Sequence, residues 1–111
     1  MFSFENDTLK RVIKKLKPLL GDNLIAVVAF GSRVRGDFNE ESDFDILVVV
    51  KKRTFGIIDK INSILEHEED KTGIPFSAVV KGIDVFDKEK KYKTTFYRNI
   101  KKDGIVLYGR A

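Results

Sequence analysis

Between Asp7 and Leu20 the apolar residues Leu9, Val12, Ile13, Leu16, Leu19 and Leu20 recur every three or four positions, which places them on one face of a helix. Asn6 or Asp7 is positioned to cap its start. Pro18 is expected to kink the helix or end it early, because proline inside a helix removes a backbone hydrogen bond. Gly21-Asp22-Asn23 then supplies a turn. Leu24–Phe30 (LIAVVAF) is a continuous apolar run of strand length. Asp43–Val50 (DFDILVVV) is a second, and its unbroken ILVVV end predicts a central strand covered on both faces. Helical spacing returns from Thr54 to Glu69 through Phe55, Ile57, Ile58, Ile61, Ile64 and Leu65, closed by Thr72-Gly73. Pro75–Val80 reads as a third strand with proline at its first position, and Asp87–Lys101 as a basic helix capped by Asp87 and ended at Gly104. Ile105–Tyr108 is a short apolar finish, a strand or a packed tail. The order α-β-β-α-β-α predicts an α/β (α+β) fold, a small mixed β-sheet packed with helices, in one domain spanning residues 1–111.

Composition narrows the function classes. With 42% hydrophobic and 34% charged residues, the 111-residue chain has the balance of an ordinary globular protein. It contains no cysteine, which excludes a disulfide framework and a thiolate metal site. Its first residues, MFSFENDTLK, lack the layout of a signal peptide, and no apolar run approaches the roughly 20 residues that span a bilayer. A soluble, cytoplasmic protein without membrane contact is expected. The net charge of +4 and a pI near 9.3 favour anionic company. The excess lies in lysines scattered along helices, as in Lys88–Lys93 (KEKKYK) and Lys101-Lys102, where solvation is the default, so nucleic acid is not the favoured partner. His67 is the only histidine and lies in a charged helix end, a surface position. Homo-oligomerisation is left open.

The stretch FGSRVRGDFNEESDFDILVVV, from Phe30 to Val50, carries the chemistry. Alternation along a strand puts Asp43 and Asp45 on one face, with Phe44, Ile46 and Val48 on the other. Two carboxylates so close repel unless a cation sits between them. Oxygen-only ligands suit a hard divalent ion such as Mg²⁺, which takes its remaining ligands from water and phosphate. Gly31 lets backbone approach a ligand closely, and the neighbouring N–H groups with the Ser32 hydroxyl can hold phosphate oxygens. Arg33 and Arg35 add guanidinium groups matched to phosphate geometry. Each half alone has a plainer reading, since Asp, Asn and Ser also crowd loops to cap turns. The combination of strand, Gly-Ser, basic turn, Asp-x-Asp and strand describes a metal-assisted nucleotide site.

FGSRVRG followed by SDFDILV resembles the signature of the minimal nucleotidyltransferases of the DNA polymerase β superfamily: Gly-Ser, ten residues, then Asp-x-Asp, here Ser32 and Asp43-Phe44-Asp45. Val34 stands where members usually carry alanine, and the closing DGIVLYG also looks familial. The resemblance implies Mg²⁺-dependent transfer of a nucleoside monophosphate from a triphosphate to a hydroxyl, with a pair of ions expected in the family. Carried over by position, Asp43 and Asp45 are the metal ligands and catalytic residues. Gly31 and Ser32 bind the triphosphate, with Arg33 or Arg35 adding charge. Minimal members commonly partner a separately encoded helical HEPN protein as its antitoxin, which implies such a partner here, with a toxin tyrosine as acceptor.

The family pattern breaks on the next strand. A third carboxylate is expected in a stretch resembling Pro-hydrophobic-Asp, and this chain has Pro75-Phe76-Ser77. Alternation lets Ser77 face the aspartates, but a hydroxyl is a poorer Mg²⁺ ligand than a carboxylate. Nucleotide binding is therefore expected to survive better than catalysis, and a binding module that neutralises its partner without transfer is the rival reading. Asp84, in GIDVFDK, could replace the missing acid only if a bulge at Gly82 reset the strand.

Overall fold

The computed structural model describes residues 3–36 and 43–110. Its elements are α1 (Ser3–Leu20), β1 (Leu24–Phe30), α2 (Ser32–Arg35), β2 (Phe44–Val50), α3 (Phe55–Thr72), β3 (Phe76–Gly82), α4 (Ile83–Tyr92), α5 (Thr95–Asp103) and β4 (Ile105–Gly109). The strands form one sheet in the order β3-β2-β1-β4. β1 is antiparallel to both β2 and β4, and β2 is parallel to β3, so the sheet is mixed as the strand and helix order predicts.

Alternation sorts the strand residues into two cores. Leu24, Val27, Ala29, Phe44, Ile46, Val48 and Val50 face Leu9, Val12, Leu16 and Leu20 of α1 and Ile61 and Leu65 of α3. Ala26, Val28, Leu47 and Val49 face Phe86 of α4 and Ile100 of α5. β2 is thus buried on both faces, the arrangement its apolar run predicts. At about 25 cal/mol per Å² of apolar surface, this two-sided burial is the main force holding the sheet between its helix layers.

A charged group is buried where α1 meets α3. Glu68 of α3 is fully covered and accepts hydrogen bonds from Lys15 Nζ at 3.0 Å and from Arg11 Nε and Nη2 at 3.4 and 3.3 Å. Burial alone would push its carboxyl up, but the hydrogen bonds from Lys15 and Arg11 prevail and hold it below its ordinary value. The triad ties α1 to α3.

Several expectations are corrected. α1 starts at Ser3, so Asn6 and Asp7 lie inside it rather than capping it. It also passes through Pro18 to Leu20, because Leu16 and Leu20 anchor the last turn on the sheet while Pro18 faces outward. The basic segment is two helices, not one. Lys93 adopts a left-handed conformation (φ 51°), and Thr94 caps α5 by accepting from the Tyr97 N–H at 3.3 Å. α4 begins directly after Gly82, so Asp87 sits within it and is not its cap. The tail from Ile105 is a strand, paired to β1. Thr54 and Gly73 bracket α3 as its N-cap and left-handed C-cap. His67 is exposed.

Candidate functional site

The site forms where β1 ends and β2 and β3 begin. The β1–β2 register sets Phe30 opposite Asp45, and the β2–β3 register sets Asp45 opposite Ser77. Val79 packs in the core under α4 and α5, so by alternation Ser77 and Asp45 share that face of the sheet. Directly after Phe30 the chain turns at Gly31, with φ 86° and ψ −168°, a region open essentially to glycine alone. A single helical turn follows, the four-residue α2, in which the Arg35 N–H bonds the Gly31 carbonyl at 3.2 Å and the Gly36 N–H bonds that of Ser32 at 2.9 Å. Gly31 and Ser32, at the start of this turn, line the cleft described below. This turn reads in sequence only as a polar loop.

Gly31 and Asp45 are in close contact. A Cβ added at Gly31 would lie 2.1 Å from Asp45 Oδ2 and 3.0 Å from its Cγ. The Gly-Ser turn and the Asp-x-Asp strand thus meet through an approach that only a missing side chain permits. The half-buried Asp45 carboxyl is pushed above its ordinary value, first by burial and then by repulsion from Asp43, with Arg35 pulling in the opposite direction. Asp43 is exposed, one residue before β2. Residues 37–42, including Ser42 and most of the loop between the two motifs, lie outside the described residues.

A cleft of about 320 Å³ opens here, lined by Phe30, Gly31, Ser32, Arg35, Asp45, Phe96, Asn99 and Asp103. The structure therefore brings together Gly31, Ser32, Arg35 and Asp45, with Asp43 coupled electrostatically at the margin. Arg33 is 7% exposed and is not among the cleft-lining residues. Asp84 is at the wrong end of the sheet. β3 stays in register to Gly82, opposite Val50, five rungs or roughly 16 Å from Asp45. Phe96, Asn99 and Asp103 are the cleft residues that the motif does not reveal. Their one signal in sequence is the spacing of Asn99 and Asp103, which puts them on the same helix face.

The donor set suits a hard divalent cation. Two neighbouring carboxylates, that of Asp45 pushed upward by burial and then by Asp43, carry negative charge that such an ion would relieve. Among the described residues no three acidic, histidine or cysteine side chains converge on one point; water and phosphate oxygens are ligands such an ion readily takes.

A small mixed sheet with helices on both faces, bearing a Gly-Ser turn against an Asp-x-Asp strand, defines a nucleotidyltransferase domain. The polymerase beta nucleotidyltransferase family model matches residues 10–111, and the chain belongs to that family. A Methanocaldococcus jannaschii protein named "Putative protein adenylyltransferase" is 34% identical over 104 residues, covering 94% of this chain and 98% of that protein. Two solved structures share the fold. A "putative nucleotidyltransferase" from Sulfolobus solfataricus is 23% identical with a TM-score of 0.60, covering 94% of this chain and 79% of the other. A Shewanella oneidensis complex of a tri-AMPylated HEPN toxin with its MNT antitoxin is 15% identical with a TM-score of 0.55, covering 95% and 72%. Among the described residues no helix is long and apolar enough to cross a membrane.

Proposed function

We propose that this nucleotidyltransferase moves the adenylyl group of ATP, as Mg-ATP, onto a hydroxyl of a protein acceptor, a tyrosine of a separately encoded HEPN-type toxin. The contact of Asp45 with Gly31 carries the reading, because it sets a carboxylate pair beside a backbone turn shaped for phosphate. The name of the M. jannaschii relative supports adenylyl as the transferred group, and the AMPylated toxin in the S. oneidensis complex supports the acceptor.

In this mechanism the backbone of the Gly31-Ser32 turn and the Ser32 hydroxyl hold the phosphate oxygens. Arg35 offsets the charge that develops on them. Asp43 and Asp45 would hold Mg²⁺, which when bound neutralises the triphosphate and polarises the α-phosphate. The acceptor oxygen forms a bond to the α-phosphorus as the bond to the bridging oxygen breaks. Pyrophosphate departs, and the hydroxyl proton passes to solvent.

A second reading has its own observation. Ser77 stands in register with Asp45 where the sequence pattern calls for a third carboxylate, and this favours a module that binds nucleotide and partner but transfers slowly. Incubating the chain with its HEPN-type partner, Mg²⁺ and ATP and then weighing the intact partner separates the two. One or more added adenylyl units establishes transfer. A tight complex of unchanged mass establishes the binding module.

A further inference from the structure

The motif residues form only one side of the cleft; the other is α5. Phe96, Asn99 and Asp103 lie at steps of three and four, so one face of this helix looks across at Ser32, Arg35 and Asp45. Phe96 is fixed in place. It meets the Phe30 ring edge-to-face at 5.7 Å, and Lys81 Nζ lies 4.1 Å from its ring centre, itself held by both Glu89 carboxylate oxygens at 2.7 Å. Asn99 and Asp103 are different. Among the described residues their side chains make no hydrogen bond or ion pair.

Helix stability does not account for Asp103. It is the last residue of α5, where the negative end of the helix dipole disfavours a carboxylate. Nor does it join Asp43 and Asp45 in a metal-holding group. A carboxylate that is not neutralised repels phosphate, so the Asp103 end of the cleft suits the uncharged part of a nucleotide. Carboxylates accept hydrogen bonds strongly from hydroxyls, and an adjacent amide can both donate and accept.

We propose that α5 is the nucleoside-recognition wall: Asp103 accepts hydrogen bonds from the ribose hydroxyls, Asn99 adds a second polar contact, and Phe30 with Phe96 forms the apolar surface against sugar and base. This rests on the triphosphate site proposed above and adds a selectivity that site lacks, for ribonucleotides over nucleotides without ribose hydroxyls.

Isothermal titration with Mg²⁺ present tests it, using ATP, 2′,3′-dideoxy-ATP and inorganic tripolyphosphate against the wild type, Asp103→Ala, Asp103→Asn and Asp43→Asn. Circular dichroism confirms that each variant is folded. Asp103→Ala is expected to weaken ATP by about tenfold, the loss of a charge-assisted hydrogen bond. The wild type should lose a similar factor on going to dideoxy-ATP, and Asp103→Ala should not weaken dideoxy-ATP further. Asp103→Asn should fall between. Tripolyphosphate should bind the wild type and both Asp103 variants alike and be lost in Asp43→Asn. If Asp103→Ala binds ATP as the wild type does, or weakens ATP and dideoxy-ATP equally, the α5 assignment is overturned while the triphosphate site stands. If tripolyphosphate and ATP are both indifferent to Asp43→Asn, the triphosphate site itself is wrong and the α5 assignment falls with it.

Discussion

Replacing Gly31 with alanine should injure the fold and the site by separable routes. The backbone there, at φ 86° and ψ −168°, costs a side-chain-bearing residue on the order of 1–3 kcal/mol. Against this, alanine restricts the unfolded chain and recovers about 0.4–1 kcal/mol. The new methyl group would also stand 2.1 Å from Asp45 Oδ2, 3.0 Å from its Cγ and 3.2 Å from its Cβ. Swinging the carboxylate away costs about 0.5–1.5 kcal/mol if it leaves its rotamer. The net expectation is about 1–3 kcal/mol, or a melting temperature lower by on the order of 5–20 °C for a domain of this size. Urea denaturation in four backgrounds isolates the clash: wild type, Gly31→Ala, Asp45→Ala and the double variant. Asp45→Ala removes Oδ2 and Cγ, so Gly31→Ala should cost less there, by about 0.5–1.5 kcal/mol. Mg-ATP binding should be lost in Gly31→Ala even at temperatures where it remains folded, because the displaced carboxylate no longer meets its partner. Equal stability losses in both Asp45 backgrounds would show that the contact is not what forbids a side chain, and normal Mg-ATP binding by Gly31→Ala would refute the geometry of the site.

Three other perturbations follow from the same structure. Asp45 titrates above the free-carboxyl value of 3.8, so ionising it costs stability. Without metal, its contribution is greatest below that value and falls as pH rises through the folded one. Asp45→Asn should therefore flatten this fall and raise the neutral-pH melting point while losing Mg-ATP binding; a lower melting point across the whole pH range would contradict it. Glu68 has the opposite sign, its stabilisation being present above 4.5 and lost as pH falls through its lowered folded value. Glu68→Ala should cost about 1–3 kcal/mol in urea denaturation through its lost charged hydrogen bonds, with nucleotide binding unchanged in the folded fraction. Ser77→Asp should raise adenylyl transfer, read as AMP incorporated per hour into a validated acceptor, and lower metal-free stability through a third neighbouring carboxylate; unaltered transfer would count against a missing ligand on β3.

Apolar spacing alone located β1, β2 and α3 to within a few residues, the strands by the uninterrupted runs that two-sided burial leaves and the helix by its three- and four-residue steps. It failed where local signals compete. Pro18 is tolerated because burial of Leu16 and Leu20 outweighs one lost bond, and the break at Lys93-Thr94 hides in a segment whose helical pattern continues on both sides. The Gly-Ser and Asp-x-Asp halves of the site were legible because their residue types are chemically costly where they stand, and alternation is enough to pair Asp43 with Asp45. Other decisions needed contacts between distant segments. The parallel register of β2 and β3 puts Ser77 beside Asp45 and carries Asp84 to the far end of the sheet. The packing of α5 over the end of β1 brings Asn99 and Asp103 into the cleft from more than sixty positions along the chain from Gly31. The pairing of Asp43 with Asp45 and the make-up of the Gly31-Ser32 turn are readable without the fold, because adjacent residues on one strand or turn have a fixed relative geometry. What stands across the cleft comes from packing instead, because strand register and helix docking are set by the whole core at once.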